Sequence, residues 1–125
     1  MGIEENKALI LRFLDEVNNG NVSMVDEYFA DNFVRYAADG TEMDREGYKN
    51  LCTNMLSFFP DVHFTVDDIV AEEDRAAFRF TWTATAQNDT PDGSYKKGDQ
   101  IKVTEDYFCR IEKGKIVEFN NLIGH

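Results

Sequence analysis

The residues best placed to do chemistry are polar ones that interrupt apolar alternation in the last third of the chain. Val103, Glu105, Tyr107, Cys109 and Ile111 share one parity, and side chains two apart in an extended strand share a face. If Val103, Cys109 and Ile111 face a core, Glu105 and Tyr107 face it too. A carboxylate in apolar surroundings has its pKa raised and becomes a usable general acid or base near neutral pH. Glu105 is therefore the first candidate for proton transfer, with Tyr107 as its orienting hydroxyl. The competing reading places Glu105 at an open rim or on the outer face, solvated as most glutamates are. In the next segment Ile116, Glu118 and Asn120 share one parity, and Val117, Phe119 and Asn121 the other. Apolar residues at both parities suggest a strand covered on both faces. Asn120 and Asn121, near its end, could donate to a carbonyl or enolate oxygen, or else bond nearby backbone. Glu118 is expected to pair with Arg110 across a hairpin, because a buried charge needs a partner.

Other chemistries find less support. His63 alternates away from Val62 and Phe64, which turns it from the core, and the terminal His125 is discounted. No histidine pair has ligand spacing, and Asp67-Asp68 and Glu72-Glu73-Asp74 lack the spacing and glycine of a calcium loop. There is no glycine-rich phosphate loop and no Gly-x-Ser-x-Gly elbow. Neither a metal nor an organic cofactor is expected. Cys52 and Cys109 sit far apart inside apolar periodic segments, which suits buried reduced thiols better than a redox or metal motif.

The elements that must position these residues follow from periodicity. Leu9, Ile10, Phe13, Leu14 and Val17 recur at helical spacing, and Asn19-Gly20 ends that helix, with Gly20 as a left-handed cap. A second, shorter helix has Ser23 as its candidate cap and Met24, Val25, Tyr28 and Phe29 as its apolar face; Ala30-Asp31-Asn32 breaks it, and Phe33-Val34-Arg35-Tyr36 reads as a short strand. Asp44 can cap a third helix, in which Tyr48, Leu51, Cys52, Met55, Leu56 and Phe59 face one way until Pro60 stops it. From there the period changes to two: Val62, Phe64 and Val66, then Phe78, Phe80 and Trp82, alternate with polar residues. Glu73-Asp74 links that pair of strands, and Asn88 to Gly93 is a longer turn. Strands from about Gln100 to Glu112 and from Lys115 to about Ile123 are joined by a hairpin at Glu112-Lys113-Gly114. Helices first and a meander of antiparallel strands afterwards make an α+β fold, with no repeat or linker to divide its 125 residues.

A curved antiparallel sheet with helices on one face forms a cone, and its open end admits a small molecule. Phe13, Tyr28, Met55, Phe59, Phe80 and Trp82 are the candidate walls of such a pocket, although most buried aromatics are simply core. Arg79, Thr81, Thr83 and Thr85 would lie on the outer sheet face and could pack against a second copy. The formal net charge is −11 at pH 7. Phosphate backbones are bound mainly through Lys and Arg, so nucleic acid and anionic membranes are not expected partners. No stretch approaches the ~18–20 apolar residues of a membrane span. The N-terminal segment has acids around a short apolar patch where a signal peptide needs a basic start and a longer apolar run. A cytoplasmic protein is expected.

The stretch Phe59-Pro60-Asp61-Val62-His63-Phe64-Thr65-Val66-Asp67-Asp68-Ile69-Val70-Ala71-Glu72 resembles the SnoaL-like polyketide cyclases of the nuclear transport factor 2-like superfamily. So do Asp74-Arg75, Phe80-Thr81-Trp82-Thr83-Ala84-Thr85, and Arg110-Ile111-Glu112-Lys113-Gly114-Lys115-Ile116-Val117-Glu118. The helix ending Asn19-Gly20-Asn21 and the run from Val25 to Val34 are similar to the superfamily's usual start. The motifs are individually weak; their order and spacing carry the resemblance across nearly the whole chain. It implies a cone-shaped barrel of a curved antiparallel sheet with three N-terminal helices on its concave face, usually dimeric and free of metal or organic cofactor. It also implies one of several functions: ring closure by aldol chemistry, isomerisation, dehydration, or binding without chemistry. In the cyclases an aspartate near the end of the last strand serves as acid and base. The corresponding positions here fall on Asn120, Asn121 and Gly124, and an amide cannot accept that proton.

Two functions remain open on these grounds. One is a pocket for an apolar, carbonyl-bearing molecule, with Glu105 moving a proton, Tyr107 orienting or donating, and Asn120 and Asn121 polarising a carbonyl. The other is a non-catalytic dimeric ligand-binding or accessory domain.

Overall fold

The computed structural model describes residues 2–124; His125 lies outside them. Helix α1 (Ile3–Asn18) buries Leu9, Ile10, Phe13, Leu14 and Val17, the stripe its spacing predicts. It ends at Gly20, whose φ of 77° needs a residue without a Cβ. Helix α2 (Met24–Tyr28) is short, and Ser23 makes no side-chain capping bond to it. Helix α3 (Arg45–Phe58) is capped by Asp44, whose Oδ1 accepts from the Gly47 N–H at 2.8 Å, and it stops before Pro60.

Strand β1 (Phe29–Tyr36) begins four residues before the expected Phe33. The segment Ala30 to Asn32, expected as a break, is instead a register irregularity within the strand that leaves Asp31 and Asn32 exposed. The short β2 (Glu42–Asp44), β3 (His63–Ala71), β4 (Arg75–Thr85), β5 (Gln100–Glu112) and β6 (Lys115–Gly124) complete one sheet in the order β2-β1-β6-β5-β4-β3. Lys113 and Gly114, both at positive φ, turn the β5–β6 hairpin.

The expected antiparallel cone needs two corrections. The sheet is mixed, because β1 pairs parallel with β6. It also does not close into a barrel: β2 and β3 are separate edges. The meander from β3 to β6 is legible from local turns, whereas β1 and β6 meet across most of the chain, and no local signal sets their direction. Bulges in β3 and in the β5–β6 pair bend the sheet, and the helices cover one of its faces. Its core is a ring cluster. Phe29 meets Phe13, Phe33 and Phe119 edge to face, with centroids 4.8–5.3 Å apart, and all four rings are buried.

Two asparagines of α1 pin that helix to the β3–β4 edge. Asn18 acts like one residue of an added strand: its Oδ1 accepts from the Phe64 N–H at 2.7 Å and its Nδ2 donates to the Phe64 carbonyl at 2.9 Å. Asn6, fully buried, donates to the carbonyls of Glu72 and Glu73 at 2.7 and 3.1 Å. Asn18→Ala and Asn6→Ala should each lower unfolding stability by about 1–3 kcal/mol, the cost of leaving part-buried hydrogen-bonding groups without their partners. Urea melts would show this, and unchanged midpoints would mean the helix is held by apolar packing alone.

Candidate active site

The register of β4 on β5 builds one wall of a cavity. Phe80 lies opposite Glu105, Phe78 opposite Tyr107 and Trp82 opposite Val103, so the parity argument places Glu105 and Tyr107 on the helix-covered face. The cavity, of about 440 Å³, is closed on its other sides by α1, through Phe13, and by α3 and the residue after it, through Met55 and Phe59. That volume falls within the usual ~300–1,000 Å³ of small-molecule sites. Phe80 stacks on Tyr107 with an interplanar angle of 6° and a centroid distance of 5.5 Å, and Phe59 leans on Trp82 at 5.8 Å.

Of the residues expected at the site, Glu105, Tyr107, Phe13, Met55, Phe59, Phe80 and Trp82 line this cavity. Tyr28 does not. It is the last residue of α2, and Phe29, the first residue of β1, takes the buried position beside it. Asn120 is opposite Phe108 and donates to the Glu118 carboxylate at 2.7 Å. It belongs with the Arg110–Glu118 pair, whose Nε–Oε2 distance is 3.8 Å, so the expected pairing across the hairpin is present but draws Asn120 away from the cavity. Asn121, opposite Tyr107, is half-buried, with its Oδ1 buried and unpartnered. His63 is exposed.

Arg35 was not anticipated. It lines the cavity, its Nη2 donates to the Tyr107 hydroxyl at 3.1 Å, and its Cζ lies 5.8 Å from the Tyr107 ring centroid. The signal was available: Phe33 and Arg35 are two apart on a strand, so a core-facing Phe33 implies an inward Arg35. Tyr48 and Cys52 of α3 also line the cavity.

The electrostatics follow from burial. Glu105 is held above the usual glutamate value of 4.5 by loss of solvent; Arg35 and hydrogen bonding from Trp82 and Asn121 oppose the rise without cancelling it. Burial raises the Tyr107 phenol as well. Burial works against the charge on Arg35, but Tyr107, Tyr48 and Glu105 outweigh it, and the guanidinium stays protonated. The arrangement can therefore take a proton from a bound carbon acid at Glu105 and present hydrogen-bond donors and positive charge beside it. Among the described residues, no group of three or more His, Cys, Asp or Glu is placed to hold a metal ion, and no helix is long and apolar enough to cross a membrane.

A bent mixed sheet with helices on one face and an apolar cavity between them is the cone fold of the nuclear transport factor 2-like proteins. Within that class the chain belongs to the SnoaL-like polyketide cyclase family, whose model matches residues 8–123. Among solved structures, it is similar to AclR, a proposed hydroxylase from Streptomyces galilaeus, at 29% identity and a TM-score of 0.87 over 99% of this chain and 81% of that one. It is also similar to IdmH, a proposed polyketide cyclase from Streptomyces antibioticus, at 27% identity and a TM-score of 0.83 over 94% and 90%. A proposed polyketide cyclase from Acidithiobacillus ferrooxidans matches at 26% identity and a TM-score of 0.80 over 96% and 87%. No curated protein sequence matches the chain.

Both cysteines are free and buried, and loss of solvent pushes the Cys52 thiol up to about 11 and the Cys109 thiol up to about 12. Because thiolate is the reactive form, the native protein should resist iodoacetamide at pH 8 and take up two labels once unfolded. Mass spectrometry would count them. Rapid native labelling of Cys52 would show that the cavity wall opens at α3.

Proposed function

We propose that the cavity binds an apolar carbonyl compound and that Glu105 catalyses a cofactor-free proton transfer on it. The observation that carries this reading is a carboxylate set in an aromatic cavity wall and raised in pKa by burial, with Tyr107 and Arg35 beside it. Ionised Glu105 takes the proton from the carbon next to the carbonyl, and the C–H electron pair passes into the enolate. The Tyr107 hydroxyl donates to the enolate oxygen. The enolate carbon then attacks a second carbonyl of the same molecule, closing a ring, and the alkoxide formed there takes the proton back from Glu105; in an isomerisation Glu105 instead returns that proton to another carbon of the enolate. Family membership favours ring closure of a polyketide; the likeness to AclR, a proposed hydroxylase, would instead fit oxidation chemistry. Asn121 keeps a part in this reading, as a hydrogen-bond partner of Glu105 that opposes its rise in pKa.

The amides at Asn120 and Asn121, where the resemblance leads one to expect carboxylates, favour a second reading as a binding module without chemistry. Exchange of the α-protons of 2-tetralone in D2O, followed by NMR, separates the two. Wild type should accelerate exchange and Glu105→Gln should lose about 10²-fold or more, while unimpaired exchange in Glu105→Gln, or none in wild type, would overturn the proton-transfer reading. Rate should rise with pH as Glu105 ionises, among neighbours Arg35, Tyr107, Trp82, Tyr48, Cys52 and Asn121.

Stability should move the other way. A native pKa above the unfolded one means that the folded state binds more protons between the two values, so Glu105 lowers stability as pH rises through that window. Glu105→Gln should melt above wild type at pH 7, with the difference shrinking on acidification; a lower melting temperature at pH 7 would contradict this. Self-association through the outer face of β4 is part of the same proposal. Thr81 and Thr83 lie on that face, although Arg79 already pairs with Asp106 and Thr81 with Asp67 there. A sedimentation run that finds only a 14.4 kDa species at micromolar concentration would remove it. Free, buried thiols accord with a reducing compartment such as the cytoplasm.

A further inference from the structure

We propose that Arg35 makes the cavity a receptor for an oxyanion: the ligand is an apolar, ring-bearing molecule that carries one negatively charged oxygen, which sits against the guanidinium and the Tyr107 hydroxyl. This rests on the reading of the cavity as a small-molecule site and narrows its ligand class.

The argument is one of charge. Arg35 stands on β1 in the inward register, beside Phe119 of β6, and lines a cavity whose wall is otherwise aromatic and aliphatic apart from Glu105, Tyr107, Tyr48, Asn54 and Cys52. Among the described residues its one side-chain hydrogen bond is to Tyr107, and its Nε–H is buried with no acceptor. Every other arginine in an ion pair sits outside this cavity: Arg45 with Asp31, Arg75 with Asp74, Arg79 with Asp106, Arg110 with Glu118. Among the described residues no carboxylate comes within ion-pairing distance of Arg35, Glu105 included. A half-buried cation with no counter-ion in contact, and Glu105 acting on it only at longer range, is costly, and packing alone gives no reason to keep one where a leucine or methionine would serve. A ligand anion supplies the missing charge. Tyr107 fits the same role, because its oxygen accepts from Arg35 and so leaves its proton to donate to the ligand.

The proposal is tested by calorimetric titration at pH 7 with 2-naphthoate and its neutral isostere 2-naphthamide, and by absorbance with 4-nitrophenol, whose phenolate has its own visible band. Wild type should prefer naphthoate over the amide by about 10- to 100-fold, the range of hydrogen bonds to charged groups, or should raise the phenolate fraction of bound nitrophenol. The first result assigns a carboxylate and the second an enolic or phenolic oxygen; either supports the oxyanion seat. Arg35→Met should erase the discrimination while still binding the amide, and should melt no lower than wild type; Arg35→Lys should keep part of the preference. Equal affinity for naphthoate and naphthamide in wild type, with an unchanged phenolate band, overturns the oxyanion seat and leaves the cavity reading intact. Failure of all three probes to bind removes the cavity reading itself.

Discussion

Two ionisable side chains on a wall of phenyl rings set the terms for the rest of this molecule. Glu105 and Arg35 stand on different strands, β5 and β1, with Tyr107 bonded to Arg35 and two residues along the strand from Glu105. Among the described residues neither charge has a counter-ion in contact: Arg35 is held by its hydrogen bond to Tyr107, and Glu105 by hydrogen bonding from Trp82 and Asn121 and by Arg35 at longer range. An aromatic wall suits that task. The Phe78, Phe80 and Tyr107 rings stack side by side across β4 and β5, and rings with few rotatable bonds take up the sheet face beside the carboxylate and remove much of its solvent contact.

That wall is useful only if the helices stay over it. The face is covered by α1 and α3, and α1 is fastened to the β3–β4 edge by side-chain amides as well as by apolar packing. Asn18 closes the backbone of Phe64, itself a cavity residue, and Asn6 closes the turn at Glu72 and Glu73. The buried ring cluster of Phe13, Phe29, Phe33 and Phe119 packs beneath the same helices. Phe13 and Phe119 also line the cavity, so core and pocket share residues and a substitution at either acts on both.

Periodicity carried much of the site into view. Alternation along β5 was enough to turn Glu105 and Tyr107 inward, and helical spacing in α1 and α3 was enough to aim Phe13 and Met55 at them. What stayed hidden depended on pairing between distant segments. Arg35 was read only as part of a short strand, and its inward face becomes decisive once β1 lies beside β6. Asn120 and Asn121 looked equivalent at a strand end, but the register separates them: Asn121 falls opposite Tyr107, while Asn120 falls opposite Phe108 and is taken up by Glu118. Tyr28 was misplaced because its helix is one turn long, and a single turn leaves its apolar face poorly defined. The family resemblance predicted the cone; the mixed pairing and the open sheet came only with the strand order.

Burial, and not a partner charge, governs Glu105. Isotope-edited infrared or carbon NMR titration of the glutamate side chains, with Glu105→Gln to assign the signal, measures this. One carboxyl group should stay protonated above the ordinary glutamate value of 4.5, and its signal should be missing from Glu105→Gln. A Glu105 that titrates together with the surface glutamates would contradict it.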